Sequence, residues 1–320
     1  MKKLVTGGSG FIGSHLVGKL ISNNKTVLVL DDFSSGNIEN LNEFIDSPKL
    51  ECISGSILDE NLVAEIMQGV DCCYHLAASL GVQKINSDPI SAINVNLKGS
   101  EIVLQQASRF NVRTFMASSS EIYGKNTKVP LSEESDRVLG PPQVARWSYS
   151  EAKAMDELYA FQLHTKKSFP VTIGRFFNTV GIRQSSAYGM VLPRFIEAAL
   201  ENNPLLVYGD GKQTRTFCAV SDAVGAVDQL MSTPNTIGQA YNIGSPNEIS
   251  INDLAKLVIK VTNSKSEIVY KKHSEIFGDN FEEPSRRAPD IFKIKKVVGW
   301  QPQKNLEEIV IEIVRQIDND

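Results

Sequence analysis

Short apolar runs alternate with longer amphipathic stretches through the first half of this chain. The apolar runs at 2–6, 26–31, 50–54, 71–76, 113–118 and 171–176 have the length of buried strands. The stretches at 11–22, 59–68, 88–109 and 148–167 carry apolar positions at helical spacing. Strands that alternate with helices in this way are typical of a doubly wound parallel sheet with helices on both faces. The pattern therefore predicts an α/β fold.

The regular alternation of predicted strands and helices ends after residue 176. A helix is predicted at 190–201, a strand at 205–208, and further helices near 221–233, 250–262 and 304–318. We therefore expect a sheet domain at 1–176 and a smaller C-terminal α/β substrate lobe at 177–320, some segments of which return to the first domain. Ligands of such folds bind beyond the carboxyl ends of the strands, where we look for residues with chemical roles.

Composition excludes several classes of function. The 320 residues include 42% hydrophobic and 22% charged side chains, as in ordinary globular proteins, and the formal charge of −4 offers no basic surface for nucleic acid. No apolar run approaches the roughly 20 residues that span a bilayer, so we expect no membrane partner and a cytoplasmic protein. The four cysteines lack the spacing of a metal site, and no metal is predicted.

A glycine-rich segment, T-G-G-S-G-F-I-G at residues 6–13, joins the first predicted strand to the first helix. Glycines let the backbone turn tightly and approach a pyrophosphate, whose charge then lies against the N–H groups at the helix start. The next strand ends in Asp31, which is placed to accept hydrogen bonds from an adenosine ribose and would repel a 2′-phosphate. This context predicts a Rossmann domain that binds NAD in preference to NADP.

Tyr149 and Lys153 form a second candidate site in the middle of the chain. They are four positions apart on a predicted helix, so both side chains face the same way. A free tyrosine has a pKa of about 10, and a nearby ammonium favours the phenolate, which lowers that pKa. We therefore expect Tyr149 to take a proton from a sugar or alcohol hydroxyl as hydride leaves for NAD, while Ser119 holds that hydroxyl by a hydrogen bond.

These motifs belong to an ordered set that covers nearly the whole chain, and the sequence resembles the extended short-chain dehydrogenase/reductase superfamily. Within it the chain is similar to NAD-dependent nucleotide-sugar epimerases, dehydratases and decarboxylases, above all to UDP-glucuronate decarboxylases and bacterial UDP-sugar 4-epimerases. The further motifs that carry the resemblance are D-D-F-S-S-G at 31–36, H-L-A-A at 75–78, N-V-N at 94–96, S-S-S-E-I-Y-G at 118–124, R-F-F-N at 175–178, Y-G-D-G-K-Q-T-R at 208–215 and R-R-A-P-D at 286–290.

The resemblance implies which residues hold NAD and which catalyse the reaction. The implied catalytic residues are Tyr149, Lys153, Ser119 and Glu121. The chain departs from the pattern at Ser56, where an aspartate commonly contacts adenine. The implied cofactor-binding residues are Gly7, Gly10, Phe11, Ile12, Gly13, Asp31, Asp32, Ser35, Gly36, Ser56, Ile57, Leu76, Ala77, Ala78, Asn96, Ser118, Tyr149, Lys153 and Phe176.

In that superfamily the second lobe binds a nucleoside diphosphate sugar. Asn178 offers an amide donor to a diphosphate, and Arg215 and Arg287 offer forked cationic donors to phosphate oxygens. Tyr208 is suited to stack on or flank a base, and the string at 208–215 looks most like UDP-sugar enzymes, so uridine is favoured. The implied substrate-binding residues are Ser119, Ser120, Glu121, Asn178, Val191, Tyr208, Arg215 and Arg287.

All the candidate reactions begin with oxidation of the sugar at C4 and differ in the next step. A 4-epimerase rotates the 4-keto sugar and returns hydride to its other face. A 4,6-dehydratase must also remove the C5 proton and expel the C6 hydroxyl, and Ser120 stands where the common dTDP-glucose dehydratases carry an Asp. Glu121 resembles the glutamate of UDP-glucuronate decarboxylases. We therefore predict decarboxylation of UDP-glucuronate to UDP-xylose, with the 4-epimerase as the first alternative and a dehydratase as the second.

Three further expectations follow from the resemblance. The loop at 79–84 lacks the proline-rich, tyrosine-bearing segment of typical decarboxylases, which leaves Lys84 as a candidate charge near the sugar carboxylate. A non-catalytic NAD-binding sensor is the alternative from another class, although such proteins typically lose the Tyr/Lys pair. The superfamily commonly dimerises through two helices, here those at 88–109 and 148–167, which implies a homodimer.

Overall fold

The computed structural model describes residues 2–79, 88–186, 189–272 and 284–317 of the chain. Its strands are β1 (Lys2–Thr6), β2 (Thr26–Asp31), β3 (Leu50–Ser54), β4 (Cys72–His75), β5 (Arg113–Ser119), β6 (Val171–Phe176), β7 (Thr179–Val180), β8 (Leu205–Tyr208), β9 (Thr214–Thr216), β10 (Cys218–Ala219), β11 (Gln239–Ile243), β12 (Glu248–Ser250) and β13 (Ile268–Lys271). Its helices are α1 (Phe11–Ser22), α2 (Glu60–Gln68), α3 (Pro89–Asn94), α4 (Ser100–Arg109), α5 (Ser148–Lys167), α6 (Val191–Leu200), α7 (Val220–Ser232), α8 (Ile251–Thr262), α9 (Phe292–Val298) and α10 (Leu306–Ile317).

Seven parallel strands form the central sheet in the order β11-β6-β5-β4-β1-β2-β3. Every strand predicted for the first half of the chain lies in this sheet, which confirms the doubly wound α/β fold. Strand β11 was not predicted. Its five residues are too short a run to stand out in the sequence, and its pairing with β6 brings a segment from beyond residue 176 into the first sheet.

Helices cover both faces of the sheet. On one face α1 and α7 pack on β1, β2 and β5 through a buried cluster that includes Leu16, Val17 and Val227. On the other face α2, α4 and α5 pack through a second cluster that includes Val63, Leu104 and Ala160. Both faces are apolar because parallel strands with crossover helices bury their side chains on both sides.

The predicted helix at 88–109 is interrupted in the structure. A π-helical turn, Val95–Gly99, separates α3 from α4. The turn brings Asn96 inside, where its amide accepts from the Ser79 N–H at 2.7 Å and donates to the Ser79 carbonyl at 3.0 Å. The interruption therefore secures the start of the loop that follows β4.

The C-terminal part has a core of its own, formed by α6, α8, α10 and the short strand β8. Two small sheets, β13-β8 and β12-β9, lie in this region. The predicted helices at 190–201, 221–233, 250–262 and 304–318 all occur, with ends shifted by one or two residues. The domain boundary at residue 176 stays a prediction. Within the described ranges, no helix has the length and apolarity needed to cross a membrane.

Candidate active site

The glycine-rich turn between β1 and α1 is closed by backbone contacts that leave no room for side chains. Gly7 has a φ of +70°, and a Cβ there would lie 2.8 Å from the Ala77 backbone. A Cβ on Gly13 would lie 2.0 Å from the Gly7 carbonyl oxygen. The Gly10 N–H donates to that same oxygen at 3.2 Å. The first turn of α1 therefore comes close to β1 with its N–H groups available to an anion.

Asp31 ends β2 beside this turn and is buried. One of its carboxylate oxygens accepts from the Ser9 N–H and the other from the Phe33 N–H, each at 2.9 Å. A carboxylate offers about four acceptor positions, so two remain for ribose hydroxyls. Two further hydroxyl oxygens, Ser9 Oγ and Ser118 Oγ, are buried and find no hydrogen-bond partner among the described residues. The glycine cradle, Asp31 and these polar atoms fit a dinucleotide.

Most of the other predicted cofactor residues surround this turn in three groups. Asp32, Ser35 and Gly36 follow β2, and a Cβ on Gly36 would lie 2.2 Å from Ser9 Oγ. Ser56 and the buried Ile57 follow β3, while the partly buried Leu76, Ala77 and Ala78 follow β4. These positions share the carboxyl edge of the sheet, where dinucleotides bind in this fold.

Two predicted cofactor residues have structural partners of their own. Asn96 uses both ends of its amide on the Ser79 backbone. Phe176 makes an edge-to-face contact with Phe115 at 6.1 Å between ring centroids. Their roles toward NAD stay predictions. Phe11 and Ile12 lie partly buried in the first turn of α1.

Tyr149 lies in the first turn of α5 and is hydrogen-bonded to Ser119 at the end of β5. The expected lowering of the pKa of this phenol is not found in the structure, where that pKa is raised. Burial, together with the negative charges of Glu121 and Asp156, raises the pKa of Tyr149, and the hydrogen bond from Ser119 opposes this only in part. The Lys153 ammonium is instead paired with Asp156, at 3.2 Å from Nζ to Oδ2.

Glu121 lies between two arginines. Its carboxylate forms ion pairs with Arg146 at 2.8 Å and with Arg287, and the three side chains are only 20%, 14% and 5% exposed. Burial by itself would raise the pKa of Glu121, but the two guanidinium groups outweigh burial and hold that pKa well below its usual range. Glu121 is therefore ionised at neutral pH.

The Glu121 cluster forms one wall of a cavity of about 170 Å³. Asn178, Val191 and Arg215, all predicted to bind substrate, line the other walls. Asn178 donates to the Thr216 carbonyl at 2.8 Å, and Arg215 donates to the Thr214 carbonyl at 2.7 Å, so both are fixed from the backbone of β9. The fold thus gathers residues from 121 to 287 around one opening.

Two other predicted substrate residues lie close by. Ser120 is buried beside Glu121 and begins a short 3-10 turn, Ser120–Tyr123. Tyr208 ends β8, and the guanidinium carbon of Arg194 lies 4.7 Å from the centre of its ring. Lys84 lies outside the described residues. Those residues contain no cluster of side chains that could hold a metal ion.

Sequence reasoning missed Arg146 and Asp156. Arg146 lies three residues before Tyr149 in a 3-10 turn, Ala145–Trp147, that leads into α5. Asp156 lies three residues after Lys153, so the two side chains share a helix face. In both cases the signal in the sequence was a spacing of three residues from Tyr149 or from Lys153. Many charged residues at that spacing are exposed to solvent instead.

Known proteins match this chain over nearly its full length. The family model described as GDP-mannose 4,6 dehydratase matches residues 4–313. The chain is 39% identical to the UDP-N-acetyl-alpha-D-glucosaminuronate decarboxylase of Bacillus cytotoxicus over 326 aligned residues, which cover all of both chains. It is 35% identical to UDP-glucuronic acid decarboxylase 2 of Arabidopsis thaliana, with 96% of this chain aligned to 66% of that protein.

A solved structure shows the same likeness in three dimensions. The UDP-glucuronic acid 4-epimerase of Bacillus cereus, in complex with UDP-glucuronic acid and NAD, superposes with a TM-score of 0.90 at 26% identity. The alignment covers 100% of this chain and 99% of that chain. The sequence relatives and the solved structure thus agree along the length of the molecule.

Proposed function

The chain belongs to the GDP-mannose 4,6-dehydratase family, and we propose that it removes carbon dioxide from a UDP-linked hexuronic acid. The expected dependence on NAD and the expected class, a nucleotide-sugar enzyme, are confirmed. UDP-glucuronate is the first candidate substrate, and its product would be UDP-xylose. None of the relatives named above is a non-catalytic sensor.

The observation that carries this proposal is the ionised Glu121 between Arg146 and Arg287. Three guanidinium groups, those of Arg146, Arg215 and Arg287, line the cavity together with the Glu121 carboxylate. The balance of these charges is positive. This net positive charge suits a ligand that carries both a diphosphate and a sugar carboxylate.

The first step would take place at the sugar C4 hydroxyl, held by Ser119 and Tyr149. Residues 7–13 and Asp31 would hold NAD, which when bound supplies the acceptor and later the donor of the C4 hydride. Tyr149 takes the hydroxyl proton as the C4–H bond breaks, which leaves a 4-keto sugar. The raised pKa keeps the Tyr149 phenol protonated at neutral pH, so its action as a base requires a positive charge nearby, and Lys153 is the candidate.

The second step would break the C5–C6 bond. A ketone at C4 makes the C6 carboxylate a β-keto acid, so the bonding electrons move to the C4 oxygen as carbon dioxide leaves. The resulting enolate takes a proton at C5. Glu121 is ionised and cannot supply that proton directly, so we assign it the placement of a water molecule or of the sugar. Hydride then returns to C4, and the proton returns to the oxygen on C4.

Arg146 is the proposed partner of the C6 carboxylate. Arg146 lines the cavity beside Glu121, where its positive charge would face the carboxylate of a bound sugar. A guanidinium matches a carboxylate with two parallel hydrogen bonds. A neutral hexose would leave that arginine without this partner, which would favour a uronic acid.

The alternatives make other demands on the site. Elimination of the C6 hydroxyl requires an acid, and Ser120, which occupies the expected position, is a weak acid. A 4-epimerase requires only Tyr149, Lys153 and Ser119, and the likeness to the UDP-glucuronic acid 4-epimerase keeps this reaction as the second candidate. Both candidates share the substrate class and the first step.

The deciding experiment is mass spectrometry and NMR of the nucleotide sugar after incubation with purified protein and NAD. Separate reactions would contain UDP-glucuronate, its 2-acetamido analogue and UDP-glucose. We expect loss of carbon dioxide from at least one of the two uronic acids and no reaction in a Tyr149→Phe variant. A 4-epimer of unchanged mass would instead establish the epimerase.

We also propose that the protein forms a homodimer through α3 and α5. Four apolar side chains on these helices are exposed: Ile90 at 73%, Ile93 at 37%, Met155 at 53% and Leu158 at 51%. Met155 and Leu158 are three residues apart and lie on one face of α5.

A cytoplasmic location is part of the proposal, supported by four cysteines that form no disulfide bond, and cell fractionation would test it.

A further inference from the structure

The pair formed by Lys153 and Asp156 is buried almost completely. The two side chains lie one turn apart on α5, each is 3% exposed, and Nζ lies 3.2 Å from Oδ2. The predicted mechanism uses the lysine but has no task for the carboxylate. A buried charge is retained only with partners, because its removal from water costs several kcal/mol.

Asp156 is the last member of a hydrogen-bonded chain that begins at the glycine-rich turn. The Ala77 N–H donates to Thr6 Oγ1 at 3.3 Å, and Thr6 Oγ1 lies 2.8 Å from Nδ1 of His75. The other ring nitrogen, Nε2, lies 3.1 Å from Ser100 Oγ. Ser100 in turn is hydrogen-bonded to Asp156.

The directions of these bonds are consistent with one another. Burial lowers the pKa of His75 to about 3, as does the nearby Lys153 charge, so the ring is neutral. With Thr6 donating to Nδ1, the proton of the ring is on Nε2 and is donated to Ser100. The Ser100 hydroxyl is then free to donate to Asp156. The carboxylate thus accepts from Ser100 and from Lys153, which is the pattern of an ionised group.

We propose that Asp156 is a positioning residue that holds the Lys153 ammonium in the site and offsets its charge, so that the Tyr149 hydroxyl keeps its proton to higher pH. The geometry gives the carboxylate two effects. It fixes where the ammonium lies, and it weakens the electrostatic effect of the ammonium on the phenol. The pKa of Tyr149 agrees, because Asp156 is among the negative charges that raise it.

Other groups that face this pair belong to several elements. Glu157 on α5 raises the pKa of Asp156, whereas Lys153 and Ser100 lower it, and burial exceeds them all. Glu121 faces Tyr149 from the turn after β5 and raises the pKa of Tyr149 more than Asp156 does, but it is paired with two arginines and not with Lys153. His75 is neutral. Asp156 is therefore the carboxylate whose removal most directly exposes Tyr149 to the full charge of Lys153.

The test is the pH dependence of NAD reduction in a single turnover, followed by absorbance with UDP-glucuronate and, separately, with its 2-acetamido analogue and UDP-glucose. Asp156→Asn keeps an acceptor for Lys153 but removes the charge. We expect the acid limb of its rate profile to move down by about one pH unit. Asp156→Glu should stay near the wild-type limb. Glu151→Gln removes an exposed carboxylate of the same helix and should leave the limb unchanged.

The outcomes separate this inference from the proposed function. Oxidation at C4 precedes decarboxylation and epimerisation alike, so the acid limb is measurable whichever product forms. A folded Asp156→Asn variant with an unmoved limb would overturn the inference, as would an equal shift in Glu151→Gln. If Asp156→Asn does not fold, Ser100→Ala gives the second test. It weakens the ionised form of Asp156 and should move the limb in the same direction, and an unmoved limb there would equally overturn the inference.

Discussion

Arg287 and Glu121 are 166 positions apart in the chain, yet their side chains form an ion pair in which the arginine is only 5% exposed. The contact joins the turn after β5 to the segment before α9. A second arginine, Arg146, reaches the same carboxylate from the turn before α5. Three segments of the chain thus meet at the point where the sugar is proposed to react.

Replacement of Glu121 by Gln tests its role in the reaction. If Glu121 places water or the sugar, Glu121→Gln should reduce decarboxylation about 100-fold while NAD binding stays unchanged. Product formation by mass spectrometry and NAD titration by fluorescence are the measurements. Equal activity in the variant and the wild type would leave Glu121 only a structural role.

The same variant should show a characteristic dependence of stability on pH. The pKa of Glu121 is depressed in the folded protein, so its contribution to the free energy of unfolding is complete above its ordinary value of 4.5. That contribution disappears as the pH falls from there toward the folded pKa. Urea unfolding at several pH values should therefore show a difference in the free energy of unfolding between the wild type and Glu121→Gln. This difference should be constant above about pH 4.5 and shrink below it. A constant difference across this range would contradict the ion-pair assignment.

Arg146 should govern the preference for a sugar carboxylate. In Arg146→Gln we expect the Kd for UDP-glucuronate to rise about 30-fold, equivalent to about 2 kcal/mol, with little change in the Kd for UDP-glucose. Arg146→Lys should recover only part of the affinity because a lysine cannot bind both oxygens. Calorimetry with both ligands is the measurement, and Arg137→Gln, at an exposed arginine, is the matched control. Equal losses for the two ligands would argue that Arg146 supports the fold of the site.

Gly13→Ala should abolish NAD binding. The added Cβ would lie 2.0 Å from a backbone oxygen that cannot rotate away, so the turn must open. Gly225→Ala on α7 is the matched control, since its Cβ would meet nothing within 4 Å. Helix propensity predicts that this control gains about 0.5–1 kcal/mol of stability. NAD titration and thermal unfolding of both variants would check the contrast, and normal NAD binding by Gly13→Ala would refute the proposed cradle.

The proposed dimer predicts a change of mass rather than of fold. A double variant, Met155→Glu with Leu158→Glu, places charges on the apolar face of α5 and should give a monomer in light scattering. Phe292→Glu on α9 removes an apolar side chain that is 67% exposed elsewhere and should not change the mass. A wild type that is already monomeric would refute the dimer.

Much of this molecule was predictable because its signals are local. The strands of the first half and the main helices follow from hydrophobic periodicity, which directly reflects burial on one or both sides of an element. The glycine-rich segment specifies its turn in part through local contacts, such as that of Gly13 with the Gly7 carbonyl oxygen. Tyr149 and Lys153 are neighbours on one helix. Together with the family resemblance, these motifs predict an NAD-dependent nucleotide-sugar enzyme.

The tertiary structure alone decided what depends on contacts between distant segments. Strand β11 is recognised as the seventh strand only through its pairing with β6. The sequence does not reveal that Arg146 and Arg287 both pair with Glu121, because such ion pairs depend on how the fold brings distant loops together. The raised pKa of Tyr149 likewise depends on burial and on the charges of Glu121 and Asp156. Most residues of the candidate site could be named from the sequence, but Arg146 and Asp156, like the charge states and partners of the others, required the fold.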